Sequence, residues 1–299
     1  MAVYRRTYRA YTGPTTSAWS RFFVIPRYSA MDFFVQVPRF NLMLPICFLP
    51  FLVEAAFIYL CHSPAAQALL SMSGTSLSAQ IDATFFLRCV TIQGFLAFVI
   101  VAWTGPGLVA PDLANGAIPL YLSRPLSRTE YVAGKFVVLF GLLSAITWVP
   151  NLLLYFLQAG LEEGWLAAHL RIGGAIFVGS LIWIALLALI ALALSATVKR
   201  RQAATLLLFG ILFGGTAFGE MWRQVLGSAW GRLLNLRYLV ELIWYELFGL
   251  ARPRMIGGVR MDLRYGDLPT WAAWAGIVTI CVSCTWLLNQ RVRAKEIVR

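Results

Sequence analysis

Few residues of this chain could carry out chemistry, and most of them lie within apolar segments. Cys281 and Cys284 form a CxxC pair, a spacing found in metal sites and redox centres. The chain has only two histidines, His62 and His169, and neither stands near an acidic cluster. A metal hydrolase would lack ligands here, so we interpret the CxxC pair as small packing residues in a helix.

No pattern for ATP binding or nucleophilic catalysis is present in the sequence. Gly134 and Lys135 are followed by Phe136 and lack the glycine-rich G-x-x-x-x-G-K-[ST] cradle that binds phosphates. Serines in the apolar segments, such as Ser144 and Ser195, have no base partner in the sequence. We therefore predict that the chain is not an enzyme and binds no cofactor itself.

The composition indicates an integral membrane protein. Hydrophobic residues make up 60% of the chain and charged residues 13%, whereas a soluble domain carries about 25% charged residues. Six segments are apolar over about the 20 residues that a membrane-spanning helix needs. They are residues 40–60, 85–104, 132–158, 172–197, 203–219 and 271–288. The sequence predicts an all-α fold with a transmembrane domain of six helices over residues 40–289.

Three polar residues inside the predicted spans are candidates for a translocation path. Glu54 in the first span is unfavourable by a few kcal/mol in hydrocarbon unless it is paired or protonated. It could line the path, or it could lie near the outer interface and pair with Arg88. Asn151 and Gln158 in the third span could also face the bundle interior. Pro150 should kink this span, so Asn151 could instead bond to a backbone carbonyl that the kink frees.

The net charge of +12 is concentrated at the ends of the spans. This placement argues against nucleic acid as a partner and indicates contact with lipid headgroups. With both termini in the cytoplasm, 16 of the 25 Lys and Arg residues lie inside, which agrees with the positive-inside rule. We predict cytoplasmic tails at residues 1–39 and 290–299 and a long outward loop at residues 220–268.

Two segments outside the six spans are amphipathic. Residues 21–37, RFFVIPRYSAMDFFVQV, should form a helix that lies on the inner leaflet before the first span. Residues 239–250, LVELIWYELFGL, are too short to cross a bilayer and are rich in Trp, Tyr and Leu. We predict an interfacial or re-entrant helix there, with a helix packed on the bundle as the alternative.

The 111–135 segment, PDLANGAIPLYLSRPLSRTEYVAGK, joins the second and third spans but is more than a polar linker. Apolar residues alternate with basic ones, and a water-facing surface of this kind usually has a partner. Asp112 is a candidate N-cap of a short helix. Ser127 and Glu130 have capping-box spacing, and Leu126 can pack on Tyr131 as a hydrophobic staple. We predict a rigid segment that can transmit force.

This segment resembles the one that follows the second span in ABC-2-type transporter permeases, the membrane subunits of ABC exporters. The shared features are an acidic residue, a glycine, the string LSRPLSR, a tyrosine and a GK pair at the third helix. The six spans, the amphipathic N-terminal helix and the long loop before the sixth span also agree. The resemblance implies that the segment, over residues 105–131, docks in a groove of a separate ATPase subunit. The residues it implies at this contact are Arg124, Pro125, Leu126, Ser127, Arg128, Glu130 and Tyr131, with Gly134 and Lys135 at the root of the helix.

The resemblance also implies the partners and the location of the chain. ATP and Mg²⁺ would bind to the partner ATPase, two permease chains would form a homodimer or pseudo-dimer, and the membrane would be the bacterial cytoplasmic membrane. Short re-entrant helices in residues 220–268 would form an outer gate, although the many arginines there depart from the family pattern. Two other functions stay open: a proton-coupled secondary carrier that uses Glu54, and a membrane anchor of a larger complex.

Overall fold

The computed structural model describes residues 17–36, 38–64, 81–118, 127–198, 200–226, 229–256, 259–263 and 268–292. Within these ranges, six helical runs are long and apolar enough to cross a membrane, which confirms the predicted fold class. The six runs are Met43–His62, Ala83–Ala114, Arg128–Leu161, Leu170–Thr197, Arg201–Leu226 and Thr270–Arg291. The protein is a multi-pass helical membrane protein.

Several of these runs contain more than one helix. The helices in chain order are α1 (Ala18–Gln36), α2 (Pro38–His62), α3 (Ala83–Thr104), α4 (Ala110–Ala114), α5 (Arg128–Ile146), α6 (Trp148–Leu161), α7 (Trp165–Ala168), α8 (Leu170–Thr197), α9 (Arg201–Phe209), α10 (Gly215–Leu226), α11 (Leu236–Phe248) and α12 (Thr270–Arg291). Three short elements that are not α-helical lie between these helices: a 3₁₀ turn at Gly105–Gly107, a π-helical turn at Gly210–Gly214 and a 3₁₀ helix at Ala229–Leu234. An antiparallel hairpin of β1 (Arg252–Ile256) and β2 (Val259–Leu263) precedes α12.

Helix α8 forms the centre of the bundle and packs against α3, α5, α11 and α12. Two indole groups connect it to its neighbours. The Trp183 Nε1–H donates to the Gly94 carbonyl of α3 at 2.8 Å. The Trp244 Nε1–H of α11 donates to the Gly179 carbonyl of α8 at 2.9 Å. A Cβ atom on Gly179 would lie 2.9 Å from the Trp244 ring, so glycine is needed for this close approach.

The third span is broken rather than smoothly kinked. Helix α5 ends at Ile146 and α6 begins at Trp148, with Thr147 between them at φ −103° and ψ −88°. The break lies three residues before Pro150, whose ring is incompatible with a straight preceding turn. The Asn151 Nδ2 donates to the Thr147 carbonyl at 3.0 Å. This carbonyl also accepts from the Asn151 backbone N–H at 3.3 Å, so it is not the one that Pro150 frees, which belongs to Ile146. The side chain of Asn151 adds a second bond at the break, and the predicted repair of a freed carbonyl is not what it makes.

The region between the fifth and sixth spans differs from the sequence-based expectation. Helix α11 is largely buried, and it packs on α8 and α12. This packing favours the alternative of a bundle helix over a helix lying at the interface. Within the predicted outward loop of residues 220–268, Arg252–Ile256 and Val259–Leu263 pair as the antiparallel hairpin. Apolar residues alternate along the sequence of β2, at Val259, Met261 and Leu263, and this period of two is typical of a strand.

Candidate functional site

A small apolar cluster joins four separate parts of the chain at one end of the bundle. Its buried members are Ile25 of α1, Ile118 after α4, Tyr131 of α5 and Val292 after α12. We call these four residues the junction cluster. Because they are in contact, the N-terminal helix, the start of the segment between the second and third spans, and the end of the sixth span meet at the same end of the bundle.

Asp112 connects the segment between the second and third spans to the first turns of α5. The Tyr131 hydroxyl donates to Asp112 Oδ2 at 2.6 Å, and Lys135 Nζ lies 3.1 Å from the same oxygen. Lys135 is only 8% exposed, and a buried ammonium group needs such a partner. The prediction that Asp112 is an N-cap is wrong. Val109 occupies that position in α4, and the Asp112 carboxylate lies in the first turn of α4, where it is bound by residues of α5.

The predicted capping box at the start of α5 is confirmed. The Glu130 backbone N–H donates to Ser127 Oγ at 3.2 Å, and the Ser127 backbone N–H donates to Glu130 Oε2 at 2.6 Å. These two bonds satisfy donors that a helix start otherwise leaves open. Leu126, the predicted staple partner of Tyr131, lies outside the described residues. Helix α5 therefore begins at Arg128, ahead of its apolar part.

Ser195 of α8 holds the first half of the same segment. Its hydroxyl donates to the Pro106 carbonyl at 2.9 Å and accepts from the backbone N–H groups of Val109 at 3.0 Å and Ala110 at 2.9 Å. Ser195 is 0% exposed. In the sequence, Ser195 stands out only as a possible nucleophile, and it lacks the base partner that this role needs. In the structure, its hydroxyl binds backbone groups at the start of α4 and so attaches this short helix to α8.

The turn between the fourth and fifth spans attaches to the end of α3 beside this serine. The Arg201 Nη2 donates to the Trp103 carbonyl at 2.7 Å, and the Thr205 hydroxyl donates to the Ala102 carbonyl at 3.2 Å. Both acceptors lie in the last turn of α3, where carbonyls lack partners within the helix. The first part of the segment between the second and third spans is thus bonded to α5 and α8, and α9 is bonded to the end of α3 from which this segment continues.

The structure divides the residues that the resemblance assigns to the ATPase contact into two groups. Arg124, Pro125 and Leu126 lie outside the described residues. Ser127 and Arg128 are exposed, and Glu130 is half-buried. Tyr131, Gly134 and Lys135 are buried within the chain itself. The part of α5 that a partner can reach is therefore its first turn.

Gly134 is a contact between α5 and the N-terminal helix α1. A Cβ atom there would lie 3.1 Å from Ile25 Cγ2 and 3.3 Å from Pro26 Cδ. The helices approach this closely because position 134 has no side chain. Tyr131, Gly134 and Lys135 thus form the buried side of α5 next to its exposed first turn.

Glu54 lies in the half of the bundle away from the junction cluster. It is 9% exposed, and its Oε2 has no hydrogen-bond partner among the described residues. The burial of this carboxyl group fits a residue that faces the bundle interior. Its pairing with Arg88 stays a prediction.

Asn151 and Gln158, the other two path candidates, have different hydrogen-bond partners. The Asn151 Nδ2 donates to Gln93 Oε1 at 2.5 Å, and both residues are fully buried. The Gln158 Nε2 instead donates to Glu162 Oε2 at 3.0 Å. Gln93 was missed in the sequence analysis. The signal was available, since an amide within an apolar span is the same feature that selected Asn151.

The cysteine pair of α12 shows no sign of a metal centre. Cys281 is half-buried, Cys284 is buried, and both are free thiols. In the part of the chain that the structure describes, no group of three or more His, Cys, Asp or Glu residues is placed to hold a metal ion.

Comparison with known proteins does not assign this chain to a family. No protein-family model matches it, and no curated protein matches it either. The functional conclusion therefore depends on the geometry at the junction cluster and on the residue pattern of the adjoining segment.

Proposed function

We propose that this chain is the transmembrane subunit of an ATP-driven ABC exporter of the ABC-2 permease type. The observation that carries the proposal is the contact of Asp112 with Tyr131 and Lys135. This contact ties α4, in the first part of the segment between the second and third spans, to the start of α5 at the end of the bundle where the junction cluster lies. A rigid segment can transmit a displacement, whereas a flexible linker would absorb it.

The hydrogen bonds give the displacement a route into the membrane domain. A load on the exposed first turn of α5 passes along α5 itself, and Asp112 carries part of it to α4. Ser195 then connects α4 to α8, the helix against which most of the bundle packs. In this proposal, a separate ATPase binds ATP and Mg²⁺, and its closure rocks these helices.

The remaining parts of the proposal concern assembly and location. Two copies of the chain, or this chain and a similar one, enclose the path in the bacterial cytoplasmic membrane. The junction cluster and both termini face the cytoplasm, where the ATPase binds. What supports this orientation is the sequence count, in which 16 of the 25 basic residues belong to the segments assigned to the cytoplasm, the distribution that the positive-inside rule describes.

Reversing two charges tests the ATPase contact. The chain is reconstituted in vesicles with the P-loop ATPase encoded by a neighbouring gene. The double substitution Arg124→Glu and Arg128→Glu is expected to abolish stimulation of ATP hydrolysis, since it reverses the charge of the proposed docking surface, while membrane insertion stays normal. Arg200→Glu is the matched control, because Arg200 is exposed at the same end but lies outside the 111–135 segment. Unchanged stimulation in the double variant, or no ATPase that co-purifies, would contradict the proposal.

A second candidate function is favoured by the buried carboxyl group of Glu54. A group of this kind in a span binds a proton or a cation readily, so the chain could be a secondary carrier driven by a proton gradient. In that case Glu54→Gln abolishes transport that follows the gradient, and Glu163→Gln, at an exposed position, does not. Transport that persists in Glu54→Gln and requires ATP would eliminate this candidate.

A further inference from the structure

A groove opens between α5 and α12 at the end of the bundle where the junction cluster lies. Both helices pack on α8 but have little contact with each other, and Leu189 of α8 lies between them. The groove has a volume of about 690 Å³, within the range of roughly 300–1,000 Å³ typical of ligand sites. Its walls are mostly apolar and include Val132 and Phe136 on one side and Val282 and Trp286 on the other.

The length of the groove matches one leaflet of a bilayer. Along α5 the lining runs from Arg128 to Phe136, a rise of about 12 Å at 1.5 Å per residue. On α12 it runs from Cys281 to Val292, a rise of about 16 Å. Half of a hydrocarbon core is about 15 Å thick. An acyl chain that enters from the membrane therefore fits along the groove from end to end.

The most polar part of the groove is its end at the junction cluster. Arg128, Thr129 and Asn289 line it there, all three are exposed, and no acidic residue is among the described lining residues. Thr285 lies one turn further in, where its hydroxyl donates to the Cys281 carbonyl of its own helix at 2.7 Å. The groove thus combines an apolar channel with a positively charged end at headgroup depth.

We propose that this groove binds a membrane phospholipid and prefers an anionic headgroup. One acyl chain lies against Phe136, Leu189 and Trp286, and Arg128 contacts the phosphate. Val282 and Trp286 are 62% and 59% exposed, so none of the described residues covers them. Arg128 is the one residue that this proposal shares with the proposed ATPase contact. The two proposals are tested separately, because the lipid site is measured on the chain alone, with no ATPase present.

Quenching of Trp286 fluorescence by brominated lipids tests the proposal. The full chain is reconstituted in phosphatidylcholine vesicles that contain either brominated phosphatidylglycerol or brominated phosphatidylcholine. The signal of Trp286 is the difference between the wild-type chain and Trp286→Phe. We expect half-maximal quenching at an about fivefold lower mole fraction of the brominated anionic lipid, the preference that one Arg near a surface provides.

Three variants separate a headgroup site from general contact with lipid. Arg128→Gln is expected to remove most of the fivefold preference, and Arg128→Lys to keep most of it. Arg200→Gln removes the same charge at the same end of the bundle but outside the groove, so it should leave the preference unchanged. Equal quenching by both lipids, or equal effects of Arg128→Gln and Arg200→Gln, would overturn the proposal. Quenching by neither lipid would also overturn it and would indicate that a second copy of the chain covers Trp286.

Discussion

Ser195→Ala is expected to lower the free energy of unfolding by about 3 kcal/mol, because each buried polar group left without a partner costs roughly 1–3 kcal/mol. The substitution removes the acceptor of the Val109 and Ala110 N–H groups and the donor to the Pro106 carbonyl. Two or three buried backbone groups are then unpaired. The expected loss of about 3 kcal/mol is near the low end for that number of unpaired groups, because a small shift of α4 can restore some of the hydrogen bonds.

Ser180→Ala is the matched control for this prediction. Ser180 lies on the same helix and is 1% exposed, but its hydroxyl has no hydrogen-bond partner among the described residues. Removal of this hydroxyl should leave stability nearly unchanged. Both variants can be measured by reversible unfolding in mixed detergent and dodecyl sulfate micelles. Equal losses in the two variants would show that the Ser195 bonds do not hold the segment.

Asp112→Ala is expected to destabilise the protein by about 3 kcal/mol, the low end of the range for removing one partner of a buried ion pair. The low end applies because the pair is not fully buried: the Asp112 side chain is 18% exposed and the Lys135 side chain is 10% exposed. Lys135 would be left as a buried ammonium group without its carboxylate. The same unfolding measurement reports the loss.

A double-mutant cycle with Lys135→Met distinguishes the ion pair from other effects of the substitution. In the Asp112→Ala background, Lys135→Met should recover much of the lost stability, because it removes the uncompensated charge while keeping an apolar side chain. The expected coupling energy is about 2 kcal/mol, within the range for residues in contact. Tyr131→Phe alone should cost about 1 kcal/mol, the value of one hydrogen bond. Additive losses for positions 112 and 135 would contradict the ion-pair explanation.

Most of the membrane topology could be predicted from the sequence because hydropathy is a local property. A run of about 20 apolar residues identifies a span without any knowledge of its neighbours. The capping box of Ser127 and Glu130 is equally local, since its two residues are three apart in the chain. These features depend on the residues themselves and not on the tertiary fold.

Other features of the site depend on contacts between distant residues. Asp112 has the local pattern of an N-cap, and only the position of α5 determines that it binds Tyr131 and Lys135. The hydroxyl of Ser195 is 85 residues from the Ala110 amide that it accepts from, so no sequence window contains both. The burial of α11 has the same cause. Its length and composition are those of an interfacial helix, and its neighbours decide where it packs.

The two indole hydrogen bonds of Trp183 and Trp244 fix the register of three helices in the bundle. They set the heights of α3, α8 and α11 relative to one another along the membrane normal. A slip of a single residue would displace a donor by about 1.5 Å and break its bond. We therefore expect these three helices to move as one rigid block. Any opening of a path must then come from helices outside the block, and the π-helical turn at Gly210–Gly214 gives the fifth span a ready point of bending.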